Sequence, residues 1–233
     1  VNKGPDSDKV VSFILNNKSN VRCIMGNHDL AVLFAYMNPK LNRIPLRKIR
    51  KSLRPLEVDV SEESFFPDDV TKVKESHTII AEELGFETLK DFSSHCPVSM
   101  EIELPDGTSL FNVHAGMLPG DFIETMPTVG SVTEMKFVDP EDWSDYSKEE
   151  DEYHDTRWYK FWKGSALHKK FKHITVLYGH DANKGLNLHQ HTKGMDSGCV
   201  KGGKLSGFMY SYNHKNHKLT HKLLQTDCEG YDF

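Results

Sequence analysis

The sequence predicts an α/β sandwich, and two observations carry that prediction. Three short apolar runs each stop at a small cluster of Gly, Asn and His: Cys23-Ile24-Met25-Gly26-Asn27-His28-Asp29, Leu110-Phe111-Asn112-Val113-His114-Ala115-Gly116 and Val176-Leu177-Tyr178-Gly179-His180-Asp181. Segments with helical apolar spacing lie between them. In α/β sheets the C-terminal ends of strands converge on one edge, where ligands sit. One Asn and three His, far apart in sequence, are thereby expected to meet.

Along the chain, Asp6 or Ser7 is an N-cap for a helix through Val10, Val11 and Ile14. Val21–Met25 reads as a short buried strand, and a second helix runs from about Asp29 to Met37. Residues 38–66 are interrupted by Pro and read as an insertion. Val70 to Ser94 has helical spacing, with Ile79, Ile80 and Leu84 followed by Phe86, Leu89 and Phe92. Val98–Leu104 and Leu110–Val113 are strands joined by the turn Pro105-Asp106-Gly107. Residues 139–155 read as a solvated, mobile acidic loop. Tyr153–Trp162 reads as an aromatic-rich helix whose Trp158, Tyr159 and Trp162 pack in the core. Ile174–Tyr178, Leu186–His189, Lys204–Tyr212 and Lys218–Gln225 complete the strands, with Asn213–Asn216 as the last turn.

The 233 residues make one domain with an elaborated loop region, and 37% apolar and 27% charged residues exclude disorder. A net charge of −5 gives no uniform basic face for nucleic acid. Charge is uneven, however. Met37–Leu56 holds seven basic residues and no acid, whereas Asp139–Asp155 holds nine acids and one base, Lys148. No run of 18 apolar residues offers a membrane span; an anchor or targeting signal would have to precede Val1. The four cysteines, scattered without a CxxC pair, are expected to be free and buried.

Imidazole nitrogens with an amide oxygen suit Zn²⁺, Mn²⁺, Co²⁺ or Fe²⁺. Asn27, His114 and His180 are candidate ligands of one metal. His28, beside Asn27, is a candidate to protonate a leaving oxygen or to hold phosphoryl charge. Lys3 is a candidate to neutralise a phosphate oxygen, and Arg157 is a second phosphate-binding candidate.

Gly26-Asn27-His28-Asp29 matches the GNH[DE] motif of calcineurin-like metallophosphoesterases. Asn2-Lys3-Gly4-Pro5-Asp6-Ser7 resembles the end of their GDxxxxG motif. Val113-His114-Ala115-Gly116 resembles their later ligand histidine, and Gly179-His180-Asp181 with the Gly-rich stretch from Gly194 to Gly203 resembles their closing GH motif and hairpin. The likeness covers nearly the whole chain. Within the family the pattern is like the branch that holds bacterial-type protein phosphatases and symmetrical diadenosine tetraphosphate hydrolases. It is most like the fungal vacuolar endopolyphosphatases.

The resemblance implies a four-layer α/β/β/α sandwich with two divalent metals, Zn²⁺ or Mn²⁺ first. The remaining ligands of the family lie in GDxH and GDxxxxG segments that would precede Val1. The chain as it stands is therefore expected to lack its first βα units, roughly 60 to 90 residues, and to be inactive without them. In the phosphoprotein phosphatases an Asp pairs with the motif histidine. Here Asn2 stands at that position and cannot raise the pKa of His28 by charge, while Asp29 is a candidate to assist His28. Lys3 replaces an Arg and loses its bidentate fork.

These departures favour phosphoanhydrides over phosphoproteins. The implied substrate is inorganic polyphosphate, with Arg47, Lys48, Arg50 and Lys51 as a candidate track for the polymer. The alternatives are a diadenosine polyphosphate hydrolase, a serine/threonine phosphoprotein phosphatase, or an inactive truncated scaffold. The implied compartment is the vacuole, with the cytoplasm as alternative. Oligomeric state is left open.

Overall fold

The computed structural model describes residues 1–42, 72–163 and 169–231. Most of the 38–66 insertion, including Arg47, Lys48, Arg50 and Lys51, lies outside the described residues. The chain divides into two compact units, Val1–Pro97 and Val98–Phe233.

The first unit is helical. It contains α1 (Ser7–Asn16), α2 (Asn27–Asn42) and α3 (Glu75–His95). Asp6 occupies the N-cap position of α1, though its side chain makes no capping bond. α2 packs against α3 through small and branched residues: Val32 and Ala35 meet Ala81 and Leu89, with Tyr36 and Leu84 at the margin. Small side chains at such a seam let helix backbones approach closely. α3 is two helical pieces joined at Gly85, whose φ of 70° and ψ of 172° break the helix. Only glycine takes that backbone without strain. Ile79 and Phe86, on either side of the break, are half exposed, whereas Leu89 and Phe92 beyond it are buried.

Two sequence expectations are corrected in this unit. Among the described residues Val21–Met25 pairs in no ladder. It runs extended, with the Met25 N–H donating to Pro97 O at 2.8 Å and a His95 ring nitrogen 3.0 Å from Val21 O. A short apolar run has no preference of its own between ladder and extended coil; neighbours decide. The cysteines are not free either. Cys23 is disulfide-bonded to Cys96, and Cys199 to Cys228 in the second unit. Their partners lie 73 and 29 residues away, beyond the reach of any local spacing rule.

The second unit is built on a mixed five-stranded sheet of β1 (Ser99–Glu103), β2 (Ser109–Val113), β6 (Ile174–Tyr178), β8 (Thr192–Gly194) and β7 (Asn187–Leu188), in the order β1-β2-β6-β8-β7. The three inner strands are parallel and the two edge strands antiparallel. β1 and β2 form the hairpin read from the sequence; Asp106 turns back to accept the Thr108 N–H at 3.0 Å, an Asx turn. A long ribbon pairs β9 (Lys204–Asn213) with β10 (Lys218–Asp227). A small sheet has the order β4-β3-β5, from Tyr146–Ser147, Phe137–Val138 and Thr156–Arg157. α4 (Val129–Glu134) is capped by Thr128, whose hydroxyl accepts the Ser131 N–H at 3.0 Å.

The core of this unit gathers Phe111, Val113, Ile174, Val176 and Tyr178 from the sheet with Met117, Met135, Trp158 and Trp162 from the connections. The Trp162 indole nitrogen donates to Met117 O at 2.7 Å, so its one polar group is satisfied in the core. The aromatic helix expected over 153–162 is a strand followed by a 3-10 turn, Trp158–Trp162. Trp158, Tyr159 and Trp162 are buried as expected. The acidic segment is structured by its own carboxylates: Asp139, Asp142 and Asp151 each accept a backbone N–H two residues on. β4 then ties the segment to β3. Among the described residues no helix is long and apolar enough to cross a membrane.

Candidate metal centre and phosphoryl site

In the first unit, Gly26-Asn27-His28-Asp29 forms the start of α2. The Gly26 N–H donates to Asp29 Oδ2 at 2.7 Å, and Leu30 N–H returns to Gly26 O at 3.1 Å. A carboxylate in a first helical turn suits the helix dipole and ties down an otherwise unpaired N–H. Asp29 thus fixes the shape of the loop, and another residue meets the His28 ring. Asn27 is buried, 5% exposed.

The residue that meets His28 was not read from the sequence. His77, on the first turn of α3, is fully buried and places Nε2 2.9 Å from His28 Nδ1. Its own Nδ1 accepts the Lys74 backbone N–H at 2.9 Å. Asn2 Nδ2 is 3.5 Å from the same His28 nitrogen, at the outer limit of a hydrogen bond. Burial holds His77 below its ordinary pKa, and the positive charges of Lys74 and Lys3 push the same way. The signal for His77 lay in α3: a polar ring where the helical pattern asks for an apolar side chain must find a hydrogen-bond partner. Nothing in the spacing named that partner.

In the second unit, β2 and β6 are adjacent and parallel, so both strands deliver their last residues to the same edge. The Gly179 N–H donates to His114 O at 2.9 Å. The His114 and His180 rings are 5.1 Å apart, edge to face. His180 has a φ of +67°, a conformation that costs a non-glycine residue energy. Two imidazoles within 5.1 Å fit a borderline-soft divalent cation. Among the described residues no group of three His, Cys, Asp or Glu stands in ligating arrangement. Asn27, the third candidate, is an amide on the first unit.

Around this pair the second unit fixes its electrostatics. Arg157 Nη1 donates to Asp181 Oδ2, and the guanidinium lies 4.0 Å from the centre of the Phe137 ring. Arg157 is therefore already engaged by a carboxylate. Beneath them, burial pushes the Tyr178 phenol above its ordinary range, although its oxygen accepts the Asn187 amide N–H at 2.7 Å. It is a structural hydroxyl, not a titrating one. Lys3 is exposed and its charge reaches His77.

A mixed α/β fold, a parallel strand pair ending in two histidines and a GNHD loop opening a helix are the features of a metallophosphoesterase. No protein-family model matches the chain. Curated relatives do. The zinc-dependent endopolyphosphatase of Saccharomyces cerevisiae is 41% identical over 231 residues, which is 98% of this chain and 69% of that protein. Symmetrical bis(5'-nucleosyl)-tetraphosphatases are more distant: that of Delftia acidovorans is 22% identical over 98% of this chain and 84% of its own length, and that of Erwinia tasmaniensis 24% identical over 88% and 79%. The chain belongs to the zinc-dependent endopolyphosphatase family and is a hydrolase.

Proposed function

We propose that this protein cleaves internal phosphoanhydride bonds of inorganic polyphosphate at a centre of divalent metals, zinc first and manganese second. Asn27, His114 and His180 are the ligands this chain supplies, and His28 lies beside the leaving oxygen. The observation that carries the reading is the pair of imidazoles, His114 and His180, held 5.1 Å apart at the ends of adjacent parallel strands. The polymer comes from the likeness to the yeast enzyme. When bound, the metals supply a nucleophilic hydroxide at neutral pH and a clamp for the phosphoryl oxygens.

The protein's own residues do the rest. His28 donates a hydrogen bond toward the phosphoryl group or its leaving oxygen. Lys3 is a point charge for a phosphate oxygen. Arg157, engaged by Asp181, steadies the loop that carries His180. Arg47, Lys48, Arg50 and Lys51 are the proposed track for phosphate units remote from the cut. The protein works in the vacuolar lumen; two disulfides support an oxidising route to that compartment.

The second reading is a dinucleoside tetraphosphate hydrolase. A cleft of about 310 Å³ lined by Leu118, Met126, Trp143 and Tyr146 favours it, because Trp143 is a ring on which a base can stack. The test is a time course of long-chain polyphosphate with the full-length protein and Zn²⁺ or Mn²⁺, resolved on a gel. A smear of intermediate lengths is expected. Intact polymer beside rapid turnover of diadenosine tetraphosphate would replace the first reading with the second.

A further inference from the structure

We propose that His77 is a positioning residue that holds His28 as a neutral imidazole with its proton on Nε2, and that this arrangement selects phosphoanhydrides over alkyl phosphate esters. The inference rests on the reading that His28 lies beside the leaving oxygen. It is carried by two hydrogen bonds in series.

A backbone N–H can only donate. The Lys74 N–H donates to His77 Nδ1 at 2.9 Å, so that nitrogen bears a lone pair and the ring proton of neutral His77 is on Nε2. His77 Nε2 lies 2.9 Å from His28 Nδ1 and is therefore the donor of that bond. His28 Nδ1 is the acceptor. The neutral ring of His28 must then carry its proton on Nε2, the nitrogen away from His77. The Asn2 amide nitrogen, 3.5 Å from the same Nδ1, is also a donor and acts in the same sense. Full burial of His77 removes water as an alternative partner for either ring nitrogen.

The polarity of this relay decides the chemistry. A carboxylate at the place of His77 would accept a proton from Nδ1 and favour an imidazolium, which can hand its Nε2 proton to a departing alkoxide. A donor at that place leaves His28 neutral. Giving up its only proton would make an imidazolate, so His28 keeps it and contributes a hydrogen bond through Nε2. As the oxygen of an attacking hydroxide bonds to phosphorus, the bond between phosphorus and the bridging oxygen breaks, the bridging oxygen takes that electron pair, and no proton is transferred from His28. A phosphate chain end leaves as a stable anion, its last proton binding at a pKa of about 6. A serine alkoxide does not. The site therefore serves anhydrides well and alkyl esters poorly.

The test uses the full-length, metal-loaded protein and three substitutions at one position. His77→Phe keeps the ring volume and removes the donor. His77→Gln keeps an acceptor for Lys74 and a donor for His28. His77→Asp inverts the polarity. On polyphosphate, His77→Phe is expected to lower kcat about 10- to 100-fold with KM little changed, and His77→Gln to restore most of it. In a His28→Ala background, His77→Phe should cost nothing further, because it acts through the lost ring. His77→Asp should raise the ratio of phosphoserine-peptide to polyphosphate turnover. A His77→Gln variant as slow as His77→Phe, or an equal loss in the His28→Ala background, would reduce His77 to packing and overturn the proposal.

Long-range ¹H–¹⁵N spectra of the imidazoles test the polarity without any substrate. A proton on His28 Nε2 and a bare Nδ1 are expected; the reverse overturns it. The two readings fail separately: a His28→Ala variant with unchanged turnover removes His28 from the reaction, whereas a protonated Nδ1 removes only the relay.

Discussion

Arg157 and Asp181 form an ion pair that links the small β3–β5 sheet to the loop that carries His180. Asp181 follows directly after His180, whose φ of +67° has to be held against strain. The pair is only partly buried, with side chains 26% and 13% exposed, so its contribution to global stability is small. Its contribution to the geometry of His180 is larger. Arg157→Gln is expected to leave the melting temperature nearly unchanged but to weaken zinc retention or kcat about tenfold. Arg157→Lys should not restore it, because lysine lacks the planar group that lies on Phe137. Metal content by mass spectrometry, with kcat on polyphosphate, checks both variants.

The Cys23–Cys96 bond closes a segment of chain, sequence separation 73, that contains the GNHD motif and α2. Chain entropy gives such a loop about 4 kcal/mol. Paired substitution of Cys23 and Cys96 by Ala should lower the unfolding free energy by an amount of that order. The same protein treated with reductant should melt at a similar, lower temperature. Alkylation mass spectrometry of the untreated protein should find no free thiol among the four cysteines.

Gly203 sits where no side chain fits. A Cβ there would lie 2.2 Å from Ser197 O and 2.9 Å from Gly198 O, both backbone atoms that cannot move aside cheaply. Its N–H donates to Gly198 O and its carbonyl accepts from Cys228, beside the second disulfide. Gly203→Ala should destabilise the protein by about 3 kcal/mol. Gly207→Ala, which meets nothing within 4 Å, should be tolerated. Denaturant melts of the two variants make the comparison.

His154 stands between two acids. Its Nε2 is 3.0 Å from Asp145 Oδ1 and its Nδ1 2.9 Å from Asp151 Oδ2. The Asp145 carboxylate beside it, and then that of Asp151, raise its pKa above the ordinary 6.5. Because the folded value is raised, the stabilisation is complete below 6.5 and is lost as pH rises through the folded value. An NMR titration of the His154 ring should show a midpoint above 6.5. The melting-temperature gap between wild type and His154→Gln should narrow as pH is raised through that midpoint. A pH-independent gap would remove the ion pairs as its cause.

Local order was written plainly in the sequence. The β1–β2 hairpin, β6 and the β9–β10 ribbon carry turn residues and apolar runs that name themselves, and α2 follows directly from the GNHD loop. The closeness of His114 and His180 was legible for the same reason: each stands one residue beyond, or two beyond, the end of a strand, and parallel neighbours bring strand ends together. Tertiary structure alone decided the rest. Val21–Met25 has the composition of a strand and no ladder among the described residues. Cys23 and Cys96 are joined across 73 residues, and α3 is broken at Gly85. His77 became the partner of His28 only when α3 packed beside α2. Periodicity records what a residue does for its own helix or strand. A disulfide or an imidazole pair depends on two distant segments meeting in one orientation, and no spacing along the chain encodes that angle.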